Sequence, residues 1–268
     1  MILETPMIHL LDPGPLDPAS NMALDQVLLD LDGWWLRLTR WDRPCVTLGR
    51  FQPWPDSSAA NTEDFPALDP FDSDRPSIPP GRLPAVRRVT GGGSILHGED
   101  LTIAICGPCP STVFPDRSPG KVATRISEVL CDQLVPEVVP RGGEDREKEM
   151  VDVVDCFQRR SPSDIVIEWN GQTVKAGGLA LAFRPGRVLI EGSLHRVPTS
   201  RPVDDDRAWL EKLARAWLGN FGNIQTEWQE DLNFTPSKID LKQPTLRLKD
   251  QVSAAVRERF GNSEWNRR

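Results

Sequence analysis

Residues 87–97 read RRVTGGGSILH. Two adjacent arginines, a hydroxyl residue, three glycines, a short apolar pair and a histidine stand in one uninterrupted run. A glycine backbone, lacking Cβ atoms, reaches φ > 0 and lets a ligand lie directly against it. Its N–H groups then form a concave nest for an anion beside fixed guanidinium charges. Taken alone, a glycine run reads more simply as a mobile surface loop. The flanks change that reading. Leu83 to Val89 has the composition of a strand entering the loop, and LTIAIC (residues 101–106) that of a strand leaving it. A glycine loop pinned between two strands is a site rather than a tether.

The rest of the chain bounds what such a site serves. Its 268 residues suffice for an ample core, in one large domain or two small ones. Nine Trp and nine Phe in a 38% hydrophobic chain are globular usage, although Pro is high at 25 and Tyr is absent. A formal net charge of −7 argues against general nucleic-acid binding. An acidic partner must therefore meet a local cluster of Arg and Lys. The opening MILETPMIHLL lacks a basic start before a long apolar run, so no signal peptide is expected. No stretch approaches the roughly 18–20 apolar residues of a membrane span. Five cysteines without framework spacing predict reduced thiols and a cytoplasmic protein. Cys106 and Cys109 spell C-G-P-C, but no second pair or nearby His completes a redox or zinc site. We expect no metal.

Working outward, helical spacing of Met22, Leu24, Val27, Leu28 and Leu31 predicts a helix from Pro18 to Asp32, capped by Ser20 or Asn21. Trp34–Trp41 and Cys45–Leu48 are β-rich and, with Asp-Arg-Pro between them, predict a hairpin. Residues 51–84 are rich in Pro, Ser and acids and predict an irregular insertion within one domain. Helices are expected over Pro119–Leu134, Asp204–Leu218 and Thr245–Phe260. Between them, Asp164–Trp169, an Asn170-Gly171 type I′ turn, Thr173–Phe183, a Pro185-Gly186 turn and Arg187–Leu194 predict an antiparallel meander. The fold class is α+β or mixed α/β, without internal repeats.

Two further residues invite chemistry. Cys156, in VVDCFQRR, is a nucleophile only as thiolate, which a neighbouring ammonium favours. Lys175, just before Gly177-Gly178 in TVKAGGLA, is placed to hold a carbonyl or phosphate oxygen. Each has a plainer reading, as a buried core thiol and a solvated edge charge. His97 reads first as a hydrogen-bonded loop residue. Composition and spacing offer a pocket and a Cys–Lys pair but no reaction.

A resemblance supplies one. RRVTGGGSILH resembles the RRxTGGGxVxH signature of the superfamily of lipoate–protein ligases, octanoyltransferases and biotin ligases. SNMALDQVLL is similar to its NMALDEAL helix, LRLTRWDRPCVTLGRFQ to its LRFYRWDPPAVSLGYFQ segment, and VLIEGSL to its ILQHGSL. CFQRRSPSDIVIEWNGQTVKAGG resembles CFxxPSxxDIVVxGKKVAGSA, and RFGNSEWN the closing KYxSxEWN. These motifs run in the family's order from about residue 20 to 266.

The resemblance implies a class II synthetase-like catalytic domain: a mixed, mostly antiparallel sheet flanked by helices, as one domain over residues 1–268. It implies that Cys156 carries the acyl group as a thioester, with Lys175 beside it. Gly91, Gly92, Gly93 and Thr90 would border the acyl chain, with Gly177 and Gly178 across from them. His97 would shape the loop or assist proton transfer. Arg87, Arg88 and Arg82 would form a positive patch for an acyl carrier protein or lipoyl-carrier donor, and a lipoyl domain would accept the group on a lysine. Such a transferase needs no cofactor. The alternative, an ATP-dependent lipoate–protein ligase, would need ATP and Mg, and Cys156 would be incidental. A third alternative is a non-catalytic acyl- or carrier-binding paralogue. Two expectations favour transfer: no counterpart of the ligases' SVRSRVxNL segment lies between Leu194 and Trp209, and no accessory domain follows Trp265. Departures from the pattern are the spacing of Lys175 from the hairpin glycine and Glu191, where His or Gln is frequent.

Overall fold

In a computed structural model of the chain, the described residues are 7–54, 59–61, 82–98, 100–133, 138–142, 160–194, 206–218, 225–229 and 248–267. The elements in order are β1 (Met7–Leu11), β2 (Pro15–Leu16), α1 (Pro18–Asp30), β3 (Trp34–Trp41), β4 (Cys45–Leu48), β5 (Ala59–Asn61), β6 (Arg82–Arg87), β7 (Ile95–His97) and β8 (Leu101–Pro108). There follow α2 (Pro119–Gln133), β9 (Val138–Pro140), β10 (Ile165–Trp169), β11 (Gln172–Arg184), β12 (Arg187–Leu194), α3 (Asp206–Leu218), β13 (Gln225–Gln229), α4 (Leu248–Ala255) and α5 (Ser263–Asn266), the last two joined by a π turn.

The main sheet runs β13-β1-β3-β8-β12-β11-β10-β9. Its first three strands are parallel and every later pair is antiparallel. This is the mixed, mostly antiparallel sheet with flanking helices that was expected. Alternation along the strands divides two cores. Leu36, Ile103 and Ile190 face a layer that includes Ile126 of α2 and Leu213 of α3. Trp35, Ala104 and Leu189 face the opposite layer, with Leu24 and Leu28 of α1 and Leu248 and Val252 of α4. Burial on both faces explains why LTIAIC is an almost unbroken apolar run.

Helix α1 starts earlier than its sequence signals imply. Its cap is Asp17, whose carboxylate accepts from the N–H groups of Ala19 and Ser20, with Pro18 at the first helical position. Asn21 lies inside the helix and donates to the carbonyls of Leu16 and Arg40. The predicted β3–β4 hairpin does not form. β3 pairs with β1 and β8, whereas β4 joins a small second sheet, ordered β5-β6-β4-β7. Asp-Arg-Pro is thus a crossing between sheets, a choice that local β propensity does not specify. The stretch 51–84 is not wholly irregular either, since β5 and the start of β6 fall within it. The meander is as predicted: Asn170 and Gly171 both take positive φ, at 50° and 76°.

Candidate active site

The second sheet carries the glycine loop on its rim, between β6 and β7. Arg87 and Arg88 are not a surface patch: both are buried, at 0% and 2% exposure. Arg87 donates to the carbonyls of Gly49, Gln52 and Asn266, and its own carbonyl receives the indole N–H of Trp265. The C-terminal EWN segment is thereby clamped to β6. Arg88 donates to the carbonyls of Thr47 (3.1 Å), Gly91 (2.7 Å) and Gly93 (2.6 Å) and to the hydroxyls of Thr47 and Thr90. The carbonyls of the glycine loop turn inward onto this guanidinium, so its charge shapes the loop instead of meeting a partner protein. Gly92 sits at φ 93°. A Cβ on Gly49 would lie 2.0 Å from the Gly92 carbonyl oxygen, so two backbones touch where no side chain fits.

His97 extends the same network. Its Nδ1 is 2.8 Å from Asp100 Oδ2, its Nε2 is 2.8 Å from the Thr47 hydroxyl, and its ring stacks on Trp41 at 4.3 Å. Both ring nitrogens are engaged within the fold, which suits a shaping role. Asp100 also accepts from the hydroxyls of Thr102 and Ser193. Burial alone would raise its pKa, but His97 and the two hydroxyls more than offset that and hold it well below the usual carboxylate range. On the helix side, Asn21 and Asp25, one turn apart on α1, grip Arg37 of β3, with Asp25 Oδ1 2.6 Å from Arg37 Nε.

These groups enclose a cleft with about 310 Å³ of empty space, counting the part open to solvent. Met22, Trp41 and Ile95 form apolar walls, and Ala180 of β11 with Gly192 and Ser193 of β12 forms the floor. The glycine loop reaches this floor directly: Gly91 N–H donates to the Leu181 carbonyl, and the Thr90 hydroxyl donates to Glu191.

Lys175 stands farther along β11. Its Nζ is 2.8 Å from Asp164 Oδ1, and the two side chains are only 7% and 4% exposed. A β-bulge sets its direction. Ile165 opposes Gly177 and Val166 opposes Lys175, so Ala176 is an extra residue. Residues three apart on a strand normally point to opposite faces. The bulge resets that count, and the lysine comes to lie over Gly178, where an added Cβ would be 3.1 Å from Lys175 Cε. Gly178 pairs with Ser193, whose side chain lines the cleft. Gly177 instead faces the other core: its Cβ would be 2.5 Å from Leu194 Cδ2, so it is a packing position and does not border the cleft.

Asp164, the ion-pair partner of Lys175, is a site residue that the reading of single residues passed over. The signal was present, as the aspartate of SPSDIV, whose carboxylate also accepts from the Ser161 N–H. Cys156 lies outside the described residues. The cysteines that are described, Cys45, Cys106, Cys109 and Cys131, are all buried. Burial pushes the thiols of Cys45 and Cys106 well above the ordinary range and that of Cys131 to about 12. Among the described residues no His, Cys, Asp and Glu group is arranged to hold a metal, and no helix is long and apolar enough to cross a membrane.

No family model matches the chain. Individual proteins do. The octanoyltransferase LipM of an Exiguobacterium species is 28% identical over 281 residues, covering 94% of this chain and 84% of that protein. LipM of Oceanobacillus iheyensis is 32% identical over 212 residues, 72% of this chain and 64% of that one. A putative lipoate protein ligase from T. acidophilum with bound lipoic acid shares the fold at a TM-score of 0.61 and 18% identity, covering 98% of this chain and 100% of its own. The chain belongs to the biotin/lipoate protein ligase superfamily. A lipoate-protein ligase A bound with ATP matches similarly, with a TM-score of 0.59 and 19% identity over 98% of each chain. As a superfamily member the protein is an enzyme of acyl-group transfer or ligation. Arg88 and His97 line the cleft directly, the glycine loop and Lys175 reach it only through their neighbours on β11 and β12, and Arg87 lies outside it as scaffold.

Proposed function

We propose that the protein is an acyltransferase of lipoate assembly, moving an octanoyl or lipoyl group through a thioester on Cys156. The observation that carries this reading is the similarity to octanoyltransferases over 94% of the chain, in which Cys156-Phe157 stands eight residues before Asp164. Burial of the four described thiols supports it, because a nucleophile needs an accessible thiolate.

In this reading the Cys156 thiolate attacks the thioester carbonyl of an acyl carrier protein or lipoyl-carrier donor and expels the carrier thiol. A lysine amine of a lipoyl domain then attacks the acyl-enzyme, forms an amide and returns the cysteine. Lys175, anchored by Asp164, stabilises the thiolate and the oxyanion of each tetrahedral intermediate. The acyl chain runs from there over Gly178 and Ser193 into the cleft. Among the described residues, Arg50, whose N–H donates to the Thr90 carbonyl, is an exposed cation beside the glycine loop, and Arg82 is exposed at the far, N-terminal end of β6. They are the groups offered to an acidic carrier. No ATP is consumed.

Intact-protein mass spectrometry after mixing with octanoyl-acyl carrier protein, without ATP, tests this. One octanoyl adduct is expected, removable by hydroxylamine and abolished in Cys156→Ser. No adduct, together with lipoyl-domain modification only when lipoate, ATP and magnesium are supplied, would establish a ligase instead. Silence in both assays would leave a binding protein.

A further inference from the structure

The turn Gly49–Gln52 is held fast from below and shows an aromatic ring to solvent above. The Gln52 N–H closes it on the Gly49 carbonyl at 3.1 Å, and the Gln52 side chain accepts from the Gly49 N–H at 2.8 Å. Beneath it, the buried Arg87 guanidinium donates to the carbonyls of Gly49, Arg50 and Gln52 together. The Arg50 N–H donates to the Thr90 carbonyl, which ties the turn to the glycine loop. At the tip, Phe51 is 84% exposed, against 49% for Val139, the other large apolar residue exposed among the described residues.

A single apolar residue on a surface needs no explanation. Phe51 does not stand alone: the exposed Arg50 holds its guanidinium 5.6 Å from the ring centroid, and exposed Pro53 lies two residues on. Aromatic residues and arginine dominate interface hot spots, and a backbone already fixed loses little freedom when a partner covers it. Charge narrows the partner. On a chain of net charge −7, an acidic protein is repelled by the surface as a whole and must meet a local cation. On α5, whose Asn266 carbonyl accepts from Arg87, the exposed Glu264 and Arg267 offset each other, so Arg50 sets the sign beside the turn.

Distance narrows it further. Gly49 lies directly against the exposed Gly92, so the turn stands on the rim of the glycine loop. The Gly91 N–H joins that loop to Leu181, three residues or about 10 Å along β11 from Gly178 at the lysine end. A lysine side chain, four methylenes and an amine, cannot bridge this gap from an acceptor domain seated on the turn. The prosthetic arm on which a carrier protein bears its thioester is much longer. We propose that the Gly49–Gln52 turn is the docking point of the acidic acyl carrier protein that delivers the thioester, with the Phe51 ring as its apolar anchor and Arg50 as the charge that orients it. This rests on the donor being such a carrier.

Calorimetric titration of the full chain tests this without turnover, first with acyl carrier protein bearing its prosthetic arm but no acyl group, then with a lipoyl domain. Phe51→Ala and Arg50→Glu are each expected to weaken carrier binding about tenfold or more, while lipoyl-domain binding holds within about twofold. Arg50→Gln is expected to flatten the salt dependence of carrier binding, and Phe51→Ala to retain it. Both side chains lie in solvent, so each variant should melt within about 2 °C of the parent. Carrier affinity that does not move in Phe51→Ala overturns the assignment, as does loss of lipoyl-domain binding in its place or failure of the parent to bind the carrier. Because binding is read without acylation, a missing Cys156 adduct would defeat the transfer mechanism while leaving the affinity ratios to judge the turn.

Discussion

The two ends of the cleft are built differently. At the glycine-loop end, Arg88, Thr47, His97 and Asp100 form a chain of buried hydrogen bonds in which each named group has found its partner within the fold. At the other end the ion pair of Lys175 with Asp164, which Arg141 also approaches at 3.7 Å, sits on a bulge over a glycine. The first arrangement sets a shape; the second keeps a cation beside the path to the cleft. Motif residues that look alike as candidates thus separate into buried scaffold, whose loss is expected to destabilise, and a group that the proposed mechanism uses, whose loss is expected to slow the reaction.

Arg88→Ala gives the sharpest way to break this contrast. It leaves the carbonyls of Thr47, Gly91 and Gly93 without their donor and is expected to cost about 3–5 kcal/mol of stability. Denaturant unfolding measures it, and a loss under about 1 kcal/mol would mean the loop end is not scaffold. Asp164→Asn attacks the other end. Removing the carboxylate from a buried ammonium is expected to cost about 1–3 kcal/mol and to slow acyl-enzyme formation roughly tenfold or more. An unaltered acylation rate would take Lys175 out of the chemistry.

Glu191→Gln sharpens the comparison through pH. Burial, with the adjoining Asp25 carboxylate, raises Glu191 to about 8, so the folded protein holds a proton on this carboxyl pair in a range where the unfolded chain has released it near 4.5. The native state therefore binds more protons between these values, and its stability falls as pH rises through the window. Glutamine does not titrate, so the variant should gain on the parent by roughly 1–3 kcal/mol between pH 5 and pH 8, read from melts at both. A difference that stays constant with pH would show that Glu191 does not hold its proton. The smallest structural effect is expected from Gly178→Ala. Its methyl would sit 3.1 Å from Lys175 Cε and 3.4 Å from Nζ, and the flexible end of the lysine can yield. Stability should change by at most about 1 kcal/mol, while acylation, which depends on where the ammonium lies, drops several-fold. Loss of stability without loss of rate would reverse the assignment of the two ends.

Much of this was legible from residues alone. The α1 periodicity, the Asn170-Gly171 turn and the strands on either side of RRVTGGGSILH are local signals, and each reappears in the fold. The strands MIHLL and QTEWQ carry too little periodicity to be found, and they exist as β1 and β13 because β3 offers an edge to β1 and β1 in turn offers one to β13. The apparent hairpin of β3 and β4 failed because pairing partners are chosen across the whole chain. Arg87 and Arg88 resembled a surface patch because sequence records charge but not where the backbone carbonyls that consume it will lie. Gly177 and Gly178 are adjacent and chemically identical, yet one faces Leu194 and the other Lys175.

By itself the sequence determined the superfamily, the α+β class and the identity of the groups at hand: a glycine loop, Lys175, Cys156 and a carboxyl at 191. Those follow from residue type and order, which are local and additive. Tertiary structure alone decided which charges are spent on scaffold, which face Lys175 takes and that Glu191 is buried beside Asp25. These depend on burial and on a one-residue bulge, and both arise from contacts between segments far apart in the chain.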